Sequence, residues 1–166
     1  MKGRWFVVAS VVLVLVALPL FVSHAAPIEL TYANFFPPAH IQAKLGDAWA
    51  KEIEKRTNGK VKITYFPGGA LLKGPQIYDG ILKGVADIGM SVFGYTRGRF
   101  PAIEAIDLPL GYPSGKVATC VINEFYKKFR PKELDEVKVL YLHAHGPGLL
   151  HSKKPVYKLE DLKGLK

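Results

Sequence analysis

Cysteine is nearly absent from this chain. Cys120 is the only one in 166 residues, so no internal disulfide can form and stability must come from the core alone, whatever the compartment. Its setting, VATCVINEF (Val117–Phe125), is helical and apolar, and a buried structural thiol is expected. Catalytic constellations are missing as well. Ser91, Ser114 and Ser152 lie in no nucleophile-elbow context, and Gly68-Gly69 lacks the Lys-Ser/Thr of a phosphate loop. Acids are in deficit, 14 against 23 Lys and Arg. The bases are nevertheless interleaved with acids, as in KEIEKR (Lys51–Arg56) and KELDEVK (Lys132–Lys138), the pattern of ordinary solvated faces. No nucleic-acid motif accompanies the positive charge, which leaves a modest bias toward anionic ligands.

Long hydrophobic runs are absent too, apart from one at the N-terminus. Lys2 and Arg4 precede an almost wholly apolar stretch from Trp5 to Val22, and Ser23-His24-Ala25 supplies small residues at both recognition positions of a cleavage site. The run approaches spanning length, so an uncleaved anchor is the alternative. Pro19 and the small-residue exit favour a signal peptide over residues 1–25, cut after Ala25. Cleavage would release a product outside the cytoplasmic membrane with 21 bases against the same 14 acids.

The rest of the chain alternates strand and helix signals. Ile28–Ala33 is β-rich and ends at Asn34-Phe35-Phe36-Pro37-Pro38. Between His40 and Thr57, Ile41, Leu45, Ala48, Trp49 and Ile53 fall at helical spacing, and Asn58-Gly59 supplies the stop. Val61–Phe66 reads as a second strand with Val61, Ile63 and Tyr65 on one face, turned out of the sheet by Pro67-Gly68-Gly69. A helix from Pro75 to Lys83 is expected to turn Ile77, Ile81 and Leu82 inward. Ala86–Val92 follows as a third strand, covered on both faces. A further helix is expected over Lys116–Phe129, a long alternating strand over Val137–His145, an extension of it over Leu149–Lys153, and a short helix near the C-terminus. The β-α-β-α-β order implies an α/β fold with a parallel sheet. Ligands in such sheets sit outside the carboxyl ends of the strands, here Asn34–Pro38, Pro67–Lys73 and Phe93–Arg97.

Candidate chemistry within that frame is sparse. His143 and His145 share a face of the expected strand and His151 is near in sequence, yet no acidic or cysteine partner has ligand spacing. Core or cleft-lining histidines are expected, with no metal and no cofactor. Glu104 and Asp107 could be a carboxylate pair, but Ile106, Leu108 and Pro109 beside them favour a helix-end or turn role. The aromatic set is more informative. Phe35, Phe36, Phe93 and Tyr95 all fall at expected strand ends, which suits a cleft with apolar stacking walls beside a polar head group.

Several segments in fixed order resemble one family. They are the leader, YANFFPPAH (Tyr32–His40), AWAKEIEKRTNGKVKITYFPGG (Ala48–Gly69), GILKGVADIGMS (Gly80–Ser91), GRFP with DLPLGYP (Gly98–Pro113), and SKKPV with LEDLKGLK (Ser152–Lys166). Together they resemble the extracytoplasmic solute receptors of tripartite ATP-independent periplasmic (TRAP) transporters, the dicarboxylate-receptor-like family, over Pro27–Lys166. The resemblance implies a periplasmic-binding-protein-like, type II-like clamshell of two domains that closes by a hinge around one small organic anion. The loaded receptor, expected to be a monomer, would pass that anion to TRAP membrane permease subunits and catalyse nothing itself.

By this resemblance, residues 26–140 would be an incomplete first domain, and residues 141–166 a crossover strand and the start of a second. The family's carboxylate-binding arginine sits in a motif of the form GLKIR. This chain carries Gly164-Leu165-Lys166, so that arginine would fall just past Lys166, and a fragment of a longer gene is expected, a truncated product being the alternative, with weak or no ligand binding and marginal stability in isolation. First-domain contacts carry over to Asn34, Phe35, Lys73, Val92, Phe93 and Tyr95, and one from the opposing domain to Leu149. Val92, Tyr95 and Leu149 are apolar or aromatic where some sugar-acid receptors of the family carry charge. The expected ligand is therefore a monocarboxylate or an aromatic or aliphatic organic acid. A binding protein of an ATP-driven importer or sensor system is the alternative. A secreted hydrolase is disfavoured by the missing nucleophile and base.

Overall fold

The computed structural model describes residues 26–146 and 148–165; the signal peptide expected over residues 1–25, its cut after Ala25, and Lys166 lie outside them. Strand β1 (Ile28–Asn34) is the centre of the sheet, with β2 (Val61–Phe66) on one side and β3 (Ile88–Met90) on the other, both parallel to it. The register sets Tyr32 beside Tyr65 and Ile88, and Asn34 beside Met90. The β2-β1-β3 order makes the carboxyl ends of β1 and β3 a switch point, from which the chain leaves in opposite directions to open a crevice.

Helix α1 (Ile41–Arg56) covers one face of the sheet, but not with the stripe its apolar spacing predicts. The buried positions are Ala43, Gly46 and Ala50, while Ile41 and Leu45 are more than half exposed. The sheet supplies the bulk and the helix the small residues. A Cβ on Gly46 would stand 2.9 Å from the Tyr65 hydroxyl, which donates to the Ala43 carbonyl at 2.9 Å. Trp49 packs edge-on against Tyr32, 5.9 Å between centroids. The helix stops where Asn58 and Gly59 take left-handed backbone, φ 50° and 75°.

The opposite face is covered by a 3-10 turn at Gly74–Gln76 that runs into helix α2 (Ile77–Leu82). Ile77 packs with Ala33 and Ala86, flanked by Leu71, Leu72 and Ile81. Leu82, expected inward, is 38% exposed because the helix ends there. Strand β3 is shorter than expected and Val92 lies beyond it, 37% exposed. At its start, side-chain bonds take over from the ladder: the Asp87 carboxylate accepts from the Thr31 N–H (2.7 Å) and Oγ1 (2.8 Å).

A second core lies beyond β3. Phe100, Ile103, Ile122 and Leu134 form it, joining helix α3 (Pro101–Glu104), helix α4 (Gly115–Phe129) and the turn at Lys132–Leu134. Ser114 caps α4 by accepting from the Val117 N–H at 3.2 Å. Ala118 and Ile122 face inward. Cys120, two residues from each, therefore points to the other side and is exposed, contrary to the expectation of burial.

The expected strand at Val137–His145 does not form a ladder, nor does its extension at Leu149–Lys153. Val139 and Leu142 pack on the second core, and α4 side chains satisfy the backbone there. Asn123 donates to the Leu142 carbonyl (2.7 Å), and Thr119 Oγ1 accepts from the Ala144 N–H (2.9 Å). The apolar alternation records packing against a helix. The short C-terminal helix is a 3-10 turn at Leu159–Leu162.

Candidate functional site

Asn34 is the last residue of β1 and is fully buried. Its Oδ1 accepts from the Phe36 N–H at 2.9 Å, closing a turn that aims Phe35 and Phe36 away from the strand axis. The same loop is clamped to the end of β2. Gly68 N–H donates to the Phe36 carbonyl (2.8 Å) and Gly69 N–H to the Asn34 carbonyl (3.0 Å). Both glycines sit at φ near 70°, a conformation that disfavours a side chain at either position.

The third strand end joins through one hydroxyl, Ser91 Oγ donating to the Gly74 carbonyl at 2.7 Å. Gly74 is buried directly beneath Tyr95 and Phe35. The segments that the sequence placed at the carboxyl ends of the strands therefore converge on one crevice. Its wall is aromatic. Phe35 meets Tyr95 edge-on at 5.3 Å, Phe36 lies on Phe35 at 4.1 Å, and His40 stacks on Phe36 at 4.4 Å. Such arrangements present both ring faces and ring edges to a guest ring.

Lys73 stands at the rim, its side-chain stem over Gly69. Its backbone N–H is held by Gln76 Oε1 at 3.2 Å, and among the described residues its ammonium forms no ion pair. Lys73 directly precedes Gly74, and a cation carried next to an aromatic pair in the chain suits a carboxylate attached to an apolar body. Val92 caps the 3-10 turn Phe93–Thr96 and its carbonyl accepts from the Tyr95 N–H at 3.1 Å. Phe93 turns the other way, onto Phe100 at 5.1 Å in the second core. Leu149 is 72% exposed and shares no aromatic pair or core cluster with these residues.

A polar layer lies behind the slot. Asn34 Nδ2 has no hydrogen-bond partner among the described residues, although the amide is near enough to the Tyr32 and Tyr65 phenols to pull their pKa values down. Burial prevails and raises both, and the Tyr141 phenol adds to the rise. Burial also raises Tyr141, whose hydroxyl reaches Met90 Sδ at 3.5 Å. These phenols stay neutral at physiological pH and act as dipoles. His143 is pushed below the ordinary imidazole pKa by burial first and by His145 second.

Two carboxylates beyond the crevice serve the backbone. Glu104 accepts from the Gly98 N–H at 3.0 Å, and Glu133 holds the first turn of α3 through the N–H groups of Ala102 (3.2 Å) and Ile103 (2.9 Å). No group of three potential metal ligands occurs among the described residues. A cavity of about 600 Å³ lined by Leu150, His151, Ser152, Lys153, Leu162 and Leu165 belongs wholly to the C-terminal segment and shares no residue with the crevice. Sequence reasoning missed His40 and Gly74. The first acts through stacking and the second through having no side chain, and neither leaves a motif.

Known proteins carry the same frame. The family profile described as "Bacterial extracellular solute-binding protein, family 7" (DctP) matches residues 32–166. A TRAP periplasmic solute-binding protein from Desulfovibrio salexigens is 40% identical, with a TM-score of 0.74 over 84% of this chain and 44% of its own; its crystal structure is an open complex with the C-terminus of a symmetry mate in the ligand-binding site. A marine metagenome TRAP solute-binding protein specific for aromatic acids, crystallised with 3-hydroxybenzoate, is 32% identical, with a TM-score of 0.74 over 81% of this chain and 42% of its own. Among curated proteins, a monocarboxylate 2-oxoacid-binding periplasmic protein of Nostoc is 30% identical over 131 residues, 70% of this chain and 33% of its own. This chain thus spans less than half the length of each of these relatives. With its matched profile, its parallel sheet and the crevice at the switch point, the chain belongs to the family 7 (DctP) bacterial extracellular solute-binding proteins, the solute-binding proteins of TRAP transporters.

Proposed function

We propose that this chain forms the first-lobe half of the binding cleft in a periplasmic receptor for a ring-bearing organic acid, which it delivers to TRAP membrane permease subunits without chemical change. One observation carries most of this: Phe35 and Tyr95 meet edge-on over Gly74, and the residue before that glycine is Lys73, which forms no ion pair among the described residues. An aromatic slot next to a lone cation matches a carboxylate on a flat apolar body better than it matches a polyhydroxylated acid. The aromatic-acid specificity of the metagenome relative points the same way.

Within this proposal residues 26–140 make the first lobe and residues 141–166 begin the second. The leader over residues 1–25 is removed after Ala25, and the receptor works as a monomer. Asn34 shapes the Phe35–Phe36 turn, Phe35 and Tyr95 hold the ring, Lys73 draws the carboxylate, and Val92 and Phe93 fix the turn that presents Tyr95. Leu149 closes from the opposing lobe as an apolar cover. Ligand favours the closed clamshell by touching both lobes at once.

A thermal-shift panel on the full gene product tests this assignment. Benzoate and 3-hydroxybenzoate are expected to raise the melting temperature in a saturable manner, while N-acetylneuraminate leaves it unchanged. A shift with the sugar acid and none with either ring acid would overturn the proposed ligand class.

A further inference from the structure

We infer that His40 is a positioning residue for the aromatic slot, setting the preference for ring acids through its stack on Phe36. This rests on the receptor assignment above. His40 lies in neither core, and the aromatic ring it stacks on is Phe36. Its own geometry is fixed from three sides. Its N–H donates to the Pro37 carbonyl (2.9 Å), its carbonyl accepts from the Ala43 (3.0 Å) and Lys44 (3.1 Å) N–H groups, and its ring Nδ1 accepts from the Gln42 N–H at 3.2 Å as the N-cap of α1. This bond orients the imidazole with Nδ1 toward the helix.

The helix therefore fixes the plane of the imidazole, and the imidazole fixes the next ring. Phe36 lies within 9° of parallel to His40 at 4.4 Å, Phe35 tilts 32° from Phe36 at 4.1 Å, and Tyr95 meets Phe35 at 80°. Each orientation is defined against its neighbour, so the ladder is anchored at one end by α1 and at the other by Tyr95 over Gly74. An exposed residue one ring removed from Phe35 thereby sets the tilt of the aromatic surface. The cap and the stack are separate jobs of one side chain. Asparagine is among the best N-caps but cannot stack, whereas phenylalanine can stack but cannot cap.

That separation gives the test. His40→Asn and His40→Phe variants of the full gene product are compared with the unmodified protein by calorimetric titration of benzoate and of hexanoate, and by thermal melting. His40→Asn is expected to keep the melting temperature within a few degrees while the preference for benzoate over hexanoate falls by about fivefold, the loss of one aromatic contact. His40→Phe is expected to lower the melting temperature but hold the preference within about twofold. The inference fails if the preference follows the cap, lost in His40→Phe and kept in His40→Asn, or if neither variant changes it while benzoate still binds. If the unmodified protein binds no carboxylate at all, the receptor assignment fails, and the role of His40 with it.

Discussion

Gly74→Ala probes the crevice with a single methyl group. That methyl would stand 2.6 Å from Cε2 and 2.8 Å from Cδ2 of Tyr95, and 3.6 Å from Cβ of Phe35. Carbon atoms settle no closer than about 3.5 Å, so the Tyr95 ring must retreat by about 0.9 Å (3.5 less 2.6). Tyr95 is 47% exposed, so the ring yields and the backbone holds. Alanine at a position without positive φ narrows the unfolded ensemble and stabilises by about 0.4–1 kcal/mol. Against this, Pro75 disfavours a Cβ-bearing residue in helical conformation before it, and the Phe35–Tyr95 pair, worth about 0.5–1.5 kcal/mol, is lost. The terms nearly cancel, and the net cost should stay below about 2 kcal/mol.

Ligand binding has no such compensation. A ring laid against the Phe35–Tyr95 pair loses one of its two contacts, and about 1 kcal/mol of contact corresponds to roughly fivefold in Kd. Urea unfolding followed by circular dichroism, beside calorimetric titration of benzoate into the full gene product, separates the two effects. A loss of stability above about 3 kcal/mol would mean the site cannot yield at Tyr95 as argued. Unchanged stability with unchanged benzoate affinity would remove Tyr95 from the binding wall.

Two further outcomes are expected. Phe100→Ala empties the centre of the second core, where Phe100 is 2% exposed and meets Tyr78 and Phe93 edge-on; it should cost about 3–5 kcal/mol in urea unfolding, and a cost under about 1 kcal/mol would contradict the packing described. Asp87 is held below the usual carboxylate range by the Thr31 N–H first and the Thr31 hydroxyl second. Its contribution is therefore full above the unfolded carboxylate pKa of about 3.9 and is lost as pH falls through the lower folded value. Asp87→Asn should reduce stability at pH 7 and flatten the loss between about pH 5 and pH 2, and parallel acid limbs for the two proteins would refute the linkage.

Much of this fold was legible in the chain because local signals were strong and consistent. β2 follows a period-two pattern, β1 alternates in sequence though its burial rises steadily toward Asn34, and Asn58-Gly59 and Gly68-Gly69 adopt the left-handed backbone that such residues tolerate. What failed was the identity of the buried face. Ile41 and Leu45 looked inward by spacing, yet α1 rests on Ala43, Gly46 and Ala50, because Tyr32 and Tyr65 already fill the space between helix and sheet. A pattern within one element cannot register the bulk of the element opposite.

The same limit explains Val137–His145, whose alternation fits a ladder and a helix-packed segment equally well, and only Thr119 and Asn123 distinguish them. The crevice was legible as a set of strand ends, since topology alone places Asn34, Lys73 and Tyr95 there. The directions of the rings were not, and Phe93 facing the second core is the clearest instance.

The central claim is that the crevice holds a carboxylate on a ring, and titration calorimetry of the full gene product with benzoate and with benzamide tests it most directly. The two ligands share the ring and differ in the charge of the head group. The account predicts saturable one-to-one binding of benzoate, with benzamide at least about tenfold weaker, as loss of a charge-assisted contact implies. Equal binding of the two, or no binding of benzoate or any other carboxylate, would contradict it.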